Sequence, residues 1–128
     1  MRPAYRADEI DEVFPAFAAD VGNVPHADYL EFMRQHNGCD GPVGREGYIC
    51  IWPLEDVILQ TEAFRKAESQ SKLLLFAGDG GDTAYAFDRA DPGWPIIALS
   101  LTSISPEDRK RVASTFSEFV KRLAADEL

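Results

Sequence analysis

Two histidines, two cysteines and one glycine-aspartate loop are the places where this chain could do chemistry. His26 and His36 are its only histidines, and neither sits in a spacing such as HExxH that would put two metal ligands on one helix face. His36 falls at the end of a predicted helix, where a positive charge is favoured by the helix dipole. Cys39 and Cys50 lie too far apart in sequence for a CxxC redox or zinc motif, and two cysteines cannot build a disulfide framework. Reduced thiols are therefore expected, with one bridge between them left open should the protein be exported. Hydrolysis or group transfer needs a nucleophile beside a base, or two carboxylates in distinct environments. Neither is legible, so no catalytic residue, metal ligand or cofactor is assigned and no enzymatic activity is expected. Two acids converging in a deep pocket, one raised by burial, would overturn that expectation.

The loop Gly78-Asp79-Gly80-Gly81-Asp82 invites two sharper readings, because glycine-rich turns cradle phosphates and clustered aspartates bind calcium. A phosphate cradle needs a helix N-terminus after it, whereas a strand-like segment follows here and the aspartates would repel phosphate. A calcium loop needs alternate oxygen ligands and a distal glutamate, and both are missing. A tight hairpin with glycines at positive φ accounts for the segment.

The elements that must carry these residues can be read from periodicity. Ile10, Val13, Phe14, Phe17, Ala18 and Val21 recur at helical spacing, which predicts a helix over about 8–20. Pro25 suits the first turn of a second helix with Tyr29, Phe32, Met33 and His36 on its apolar side, stopped by Asn37-Gly38. Residues 38–47 hold four glycines and a proline and read as a loop. Tyr48 to Trp52 is rich in β-branched and aromatic residues and reads as a strand closed by Pro53. Leu54, Val57, Ile58, Thr61 and Phe64 return to helical spacing, fading over 66–72.

Leu73-Leu74-Leu75-Phe76-Ala77 is apolar on both faces and reads as a central strand. Thr83 to Asp88 is its hairpin partner, and Pro95 to Leu99 a further strand with an edge or bulge at its proline. Ser105-Pro106-Glu107-Asp108 has the pattern of a helix start. The expected final helix then buries Val112, Phe116, Phe119, Val120 and Leu123, with Arg109, Lys110, Lys121 and Arg122 in solvent. Strands joined by hairpins and packed by helices make an α+β domain, not a doubly wound one.

Composition bounds what such a domain can meet. The chain has 128 residues, 45% hydrophobic and 27% charged, with mean hydropathy -0.23, which fits one globular domain over 1–128 with its core at about 8–124. No apolar run approaches the roughly 18 residues of a membrane helix, and the first residues turn acidic where a signal peptide would be apolar, so a cytoplasmic protein is expected. The net charge is -9, which opposes direct binding of nucleic acid. Residues 105–128 carry five acids and five bases, so the negative field belongs to the first 104 residues. Solubility explains it as well as the attraction of a basic partner does.

Three stretches taken together resemble a known family. They are Asp28-Tyr29-Leu30-Glu31-Phe32 through Gln35-His36-Asn37-Gly38, then Ile51-Trp52-Pro53-Leu54-Glu55-Asp56-Val57, then Leu75-Phe76-Ala77-Gly78-Asp79-Gly80-Gly81-Asp82 through Tyr85-Ala86-Phe87-Asp88. Their order and spacing resemble the SUKH superfamily, the group of fungal cell-wall-synthesis regulators and bacterial toxin-immunity proteins, from about Ile10 to Leu123. Cys39 stands where members often have a second glycine, and Val24-Pro25 where they often have Leu-Pro. The resemblance implies a mainly antiparallel or mixed sheet of about four to six strands, flanked by N-terminal helices and a long C-terminal helix. It implies no enzymatic activity and a protein partner, foremost a toxin domain with a basic surface. A regulator binding a housekeeping partner is the alternative. Asp40, Trp52, Glu55, Asp79, Asp82 and Asp88 lie on or beside the family-like motifs and form the candidate partner-binding set. Each also has a structural reading: Asp79 and Asp82 as turn formers, Trp52 as core, Asp88 as a strand-end cap.

Overall fold

The computed structural model describes residues 26–36, 38–45, 47–67, 72–101 and 109–125. The helix expected over 8–20 and the start expected at Ser105 lie outside them. Within them the chain is α+β: helix α1 (Ala27–His36), strands β1 (Cys39–Val43) and β2 (Gly47–Ile51), helix α2 (Leu54–Ala67), strands β3 (Leu73–Gly78), β4 (Thr83–Asp88), β5 (Ile96–Ser100) and β6 (Lys110–Ala113), and helix α3 (Phe116–Ala124). The six strands form one open antiparallel sheet in the order β1-β2-β3-β4-β5-β6. Each strand pairs with its neighbour in sequence, which is the topology hairpin connections favour.

Alternation divides the sheet into two faces. Ile49, Ile51, Leu74, Phe76, Tyr85, Phe87, Ile96 and Val112 gather with Tyr29 and Met33 of α1 and Phe116, Phe119 and Leu123 of α3. The rings interlock. Phe76 stacks on Phe87 at 4.3 Å, and Tyr29 meets Phe76, Phe87 and Phe116 edge-on at 5.0–5.5 Å. Burying each such ring contributes roughly 1.5–3 kcal/mol. The Ser117 hydroxyl donates to the Asp28 carboxylate, tying α3 to α1. The opposite face gathers Leu73, Leu75, Ala84, Ala86, Ile97 and Leu99 with Phe64 of α2. Thr61 fastens that helix: its hydroxyl accepts from Leu75 N at 3.1 Å and donates to Leu75 O at 3.4 Å, beside the register shift between Leu75 and Ala77.

Several boundaries differ from the sequence reading. Residues 39–43, expected in a loop, form β1, because pairing with β2 along five positions outweighs the poor strand propensity of Gly41 and Pro42. An edge strand tolerates a proline, and Asp40 and Pro42 stand exposed on it. Gly38 has φ +99°, and a Cβ there would lie 2.6 Å from Ile51 O, so this turn requires glycine.

The final helix is the larger correction. Residues 110–113, expected in its first turns, are β6 paired with β5, and the helix begins at Phe116. Thr115 is the N-cap, accepting from Glu118 N at 3.1 Å, while Glu118 Oε1 accepts from Ser114 N at 3.0 Å. Val112 is buried from the strand, and Val120, expected in the buried stripe, is 42% exposed. Pro95 was expected to mark an edge or bulge. β5 is not an edge, but its pairing with β6 shifts register between Ile96 and Ile97.

Candidate functional site

Side chains of β2 alternate, so Ile49 and Ile51 enter the aromatic core while Tyr48 and Cys50 face the other way. Register extends that row: Asp40 stands opposite Cys50, Cys50 opposite Gly78, and Gly78 opposite Ala84. The loop after Gly78 then brings Asp79 and Asp82 to the same end of the sheet. Cys39, opposite Ile51, lies on the core face. The two cysteines therefore project from opposite faces of the β1–β2 ladder, an arrangement a disulfide does not span.

Two glycines seat two aromatic rings at this corner. A Cβ at Gly78 would lie 3.1 Å from Trp52 Cζ2, and one at Gly80 would lie 3.3 Å from Tyr48 Cδ1. Trp52 is half-buried against both core clusters. Tyr48 is 41% exposed, and its hydroxyl donates to Asp40 Oδ2 at 2.9 Å. That bond holds the Asp40 carboxyl below the usual carboxylate range and pushes the Tyr48 phenol up. Burial raises the Cys50 thiol, and the nearby Asp40 and Asp56 carboxylates raise it further. Such surroundings suppress the thiolate that nucleophilic chemistry needs.

The Asp79 loop is a hairpin turn with Gly80 at φ +84°. Asp79 Oδ1 accepts from Gly81 N at 2.9 Å and Thr83 N at 3.2 Å, which makes Asp79 a turn former. Asp82 accepts from the Ser100 hydroxyl at 2.9 Å and its carbonyl from Leu101 N at 2.7 Å, tying the loop to β5. Glu55 stands in the first turn of α2, just after Trp52-Pro53. Asp88 is elsewhere. It ends β4, about 17 Å along an extended strand from Thr83, and caps its own turn by accepting from Ala90 N at 3.0 Å.

The structure thus brings Asp40, Trp52 and Asp79 toward one corner, ties Asp82 to β5 at the same end of the sheet, and leaves Asp88 at the other end. Tyr48 was missed as a candidate. Its signal was the alternation of Tyr48, Cys50 and Trp52 against Ile49 and Ile51, which puts the tyrosine on the outer side once Ile49 and Ile51 are taken as core. His26 is buried, stacked on Phe87 at 5.0 Å, with Nε2 donating to Trp94 O at 2.8 Å. Trp94 holds a φ of +48°, unusual for a bulky residue. Among the described residues no three His, Cys, Asp or Glu side chains are grouped to hold a metal ion, and no helix is long and apolar enough to cross a membrane.

Comparison with known proteins agrees with this architecture. No curated protein matches the chain. The model of the SMI1 / KNR4 family (SUKH-1) matches residues 11–122, nearly its whole length. With that match over a helix-flanked antiparallel sheet, the chain belongs to the SMI1 / KNR4 family (SUKH-1) of the SUKH superfamily.

Proposed function

We propose that this protein is a non-enzymatic binding domain that neutralises a cognate bacterial toxin by occupying it stoichiometrically in the cytoplasm. The observation that carries the reading is the family match over 11–122, joined to a net charge of -9. A toxin that handles nucleic acid needs a basic groove, and an acidic domain is steered toward such a groove at long range and can fill it. At one end of the sheet Asp40 is hydrogen-bonded to the exposed Tyr48 and Asp79 stands in the neighbouring β3–β4 loop, which supplies carboxylates for such a contact. Co-expression with the product of a toxin gene beside its own is expected to restore growth and to yield a complex of the two chains. Unrelieved toxicity, with no complex formed, contradicts the proposal.

The matched family bears the name of the cell-wall-regulator branch, which favours a second reading, a regulator binding a housekeeping partner. Deletion in a host carrying no neighbouring toxin gene separates the two, since only the regulator's loss leaves a cell-wall defect there.

A further inference from the structure

We propose that Ser114, in the bend between β6 and α3, is the acceptor site of a serine kinase that selects cationic residues ahead of its substrate hydroxyl. In sequence it follows Arg109-Lys110-Arg111-Val112-Ala113, so basic side chains stand three, four and five residues before it. Lys110, Arg111 and Ser114 are all exposed. β6 ends the sheet, and among the described residues no strand lies on its outer side to bar a cleft. Residues 109–125 carry five bases and one acid in a chain of net charge -9, so this edge is a positive stretch on an acidic protein. A kinase cleft lined with carboxylates meets those cations first, which speeds encounter and fixes the register of the acceptor.

The neighbours of each hydroxyl single this serine out. Six serines and threonines lie among the described residues. Thr61 is buried and bonded to Leu75, and Thr83 is half-buried on the inner strand β4. Ser100 and Ser117 donate to the carboxylates of Asp82 and Asp28, and Thr115 accepts from Glu118 N as the cap of α3. A phosphate at those places would be buried, repelled or lose the cap. The Ser114 hydroxyl instead accepts from Arg111 Nη2 at 3.0 Å. A guanidinium fork fits phosphate oxygens, so the group that holds the hydroxyl can hold the product. In the transfer, Ser114 Oγ bonds the γ-phosphorus of a nucleoside triphosphate as the bond from that phosphorus to the β–γ bridging oxygen breaks. The diphosphate leaves, and the hydroxyl proton passes to the base of the kinase. The product adds about -2 charge beside the N-terminus of α3, where the helix dipole favours it. Glu118, whose Oε1 accepts from Ser114 N at 3.0 Å, is then repelled, and the phosphate takes over that amide.

The test incubates the full folded chain with radiolabelled ATP and a purified serine kinase that requires arginine three residues before its acceptor, beside a peptide of residues 109–118 as the unfolded standard. One phosphate per chain is expected, mapped to Ser114 by mass spectrometry. Ser114→Ala should abolish incorporation, and Arg111→Gln should slow it about tenfold, each with an unchanged circular dichroism spectrum. In phosphorus NMR the second pKa of the phosphoserine should fall below its ordinary value of about 6, because Arg111 favours the dianion. A folded chain left unlabelled while the peptide is labelled, phosphate on Thr115 or Ser117, or a second pKa at the ordinary value would overturn the proposal.

Discussion

Tyr29 illustrates how much one atom can matter in this core. It is fully buried, its ring touches three phenylalanines, and its hydroxyl has no hydrogen-bond partner among the described residues. Burial pushes its phenol well above the ordinary range. An unpartnered buried hydroxyl costs about 1–3 kcal/mol, whereas the ring around it is stabilising. Tyr29→Phe is therefore expected to be neutral or to stabilise by about 1 kcal/mol, read from urea unfolding midpoints at constant m-value. A loss above 1 kcal/mol would mean the hydroxyl has a partner. Phe76→Ala, by contrast, should cost about 3–5 kcal/mol. At the surface, Tyr48→Phe removes the donor to Asp40, so the Asp40 carboxyl should titrate at higher pH, followed by NMR. An unchanged titration would show that the hydrogen bond does not form in solution.

Among the elements, those anchored by a strong local pattern were legible and those made by pairing were not. The apolar run at 73–77, the glycine hairpin and the helix beginning at Leu54 could be read because their periodicity had one interpretation. β1 could not, because Gly41 and Pro42 argue against a strand and only β2 supplies the reason for one. The end of the chain misled for another cause. Val112, Phe116, Phe119 and Leu123 fit one helical stripe, and Ser105-Pro106-Glu107 looks like its start, yet Thr115 and Glu118 form the operative cap. The candidate site was half legible. Its acids stood in motifs, but their gathering depends on the Asp40–Cys50–Gly78 register, which no local signal encodes. Two predictions belong here. Thr115→Ala should cost about 1 kcal/mol through loss of the cap, measured by thermal melt, and no change would place the helix start elsewhere. Thr61→Val preserves shape but leaves the buried Leu75 backbone groups without the Thr61 hydroxyl, for a cost of about 1–3 kcal/mol. Stability equal to wild type would mean other groups satisfy Leu75.

For the whole molecule, pH and stoichiometry are the levers. Burial, as the leading cause, pushes the phenols of Tyr29 and Tyr85 and the thiols of Cys39 and Cys50 to higher pKa, so each gives up its proton less readily in the folded chain. A raised folded pKa means the unfolded chain loses its proton first as pH rises. Stability is then complete below the unfolded values, about 8.5 for Cys and 10 for Tyr, and falls above them. Urea midpoints should hold near neutrality and decline progressively above about pH 9. A flat profile to pH 11 would contradict the burial of these groups. The larger claim is that this fold acts by presenting surface to a basic partner and not by turnover. Its most direct test is to titrate the activity of the toxin encoded beside its gene with purified protein. Binding predicts a linear fall that reaches zero at one equivalent and stays there. Complete inactivation by a small fraction of an equivalent, deepening with time, would mean catalysis and would contradict the account.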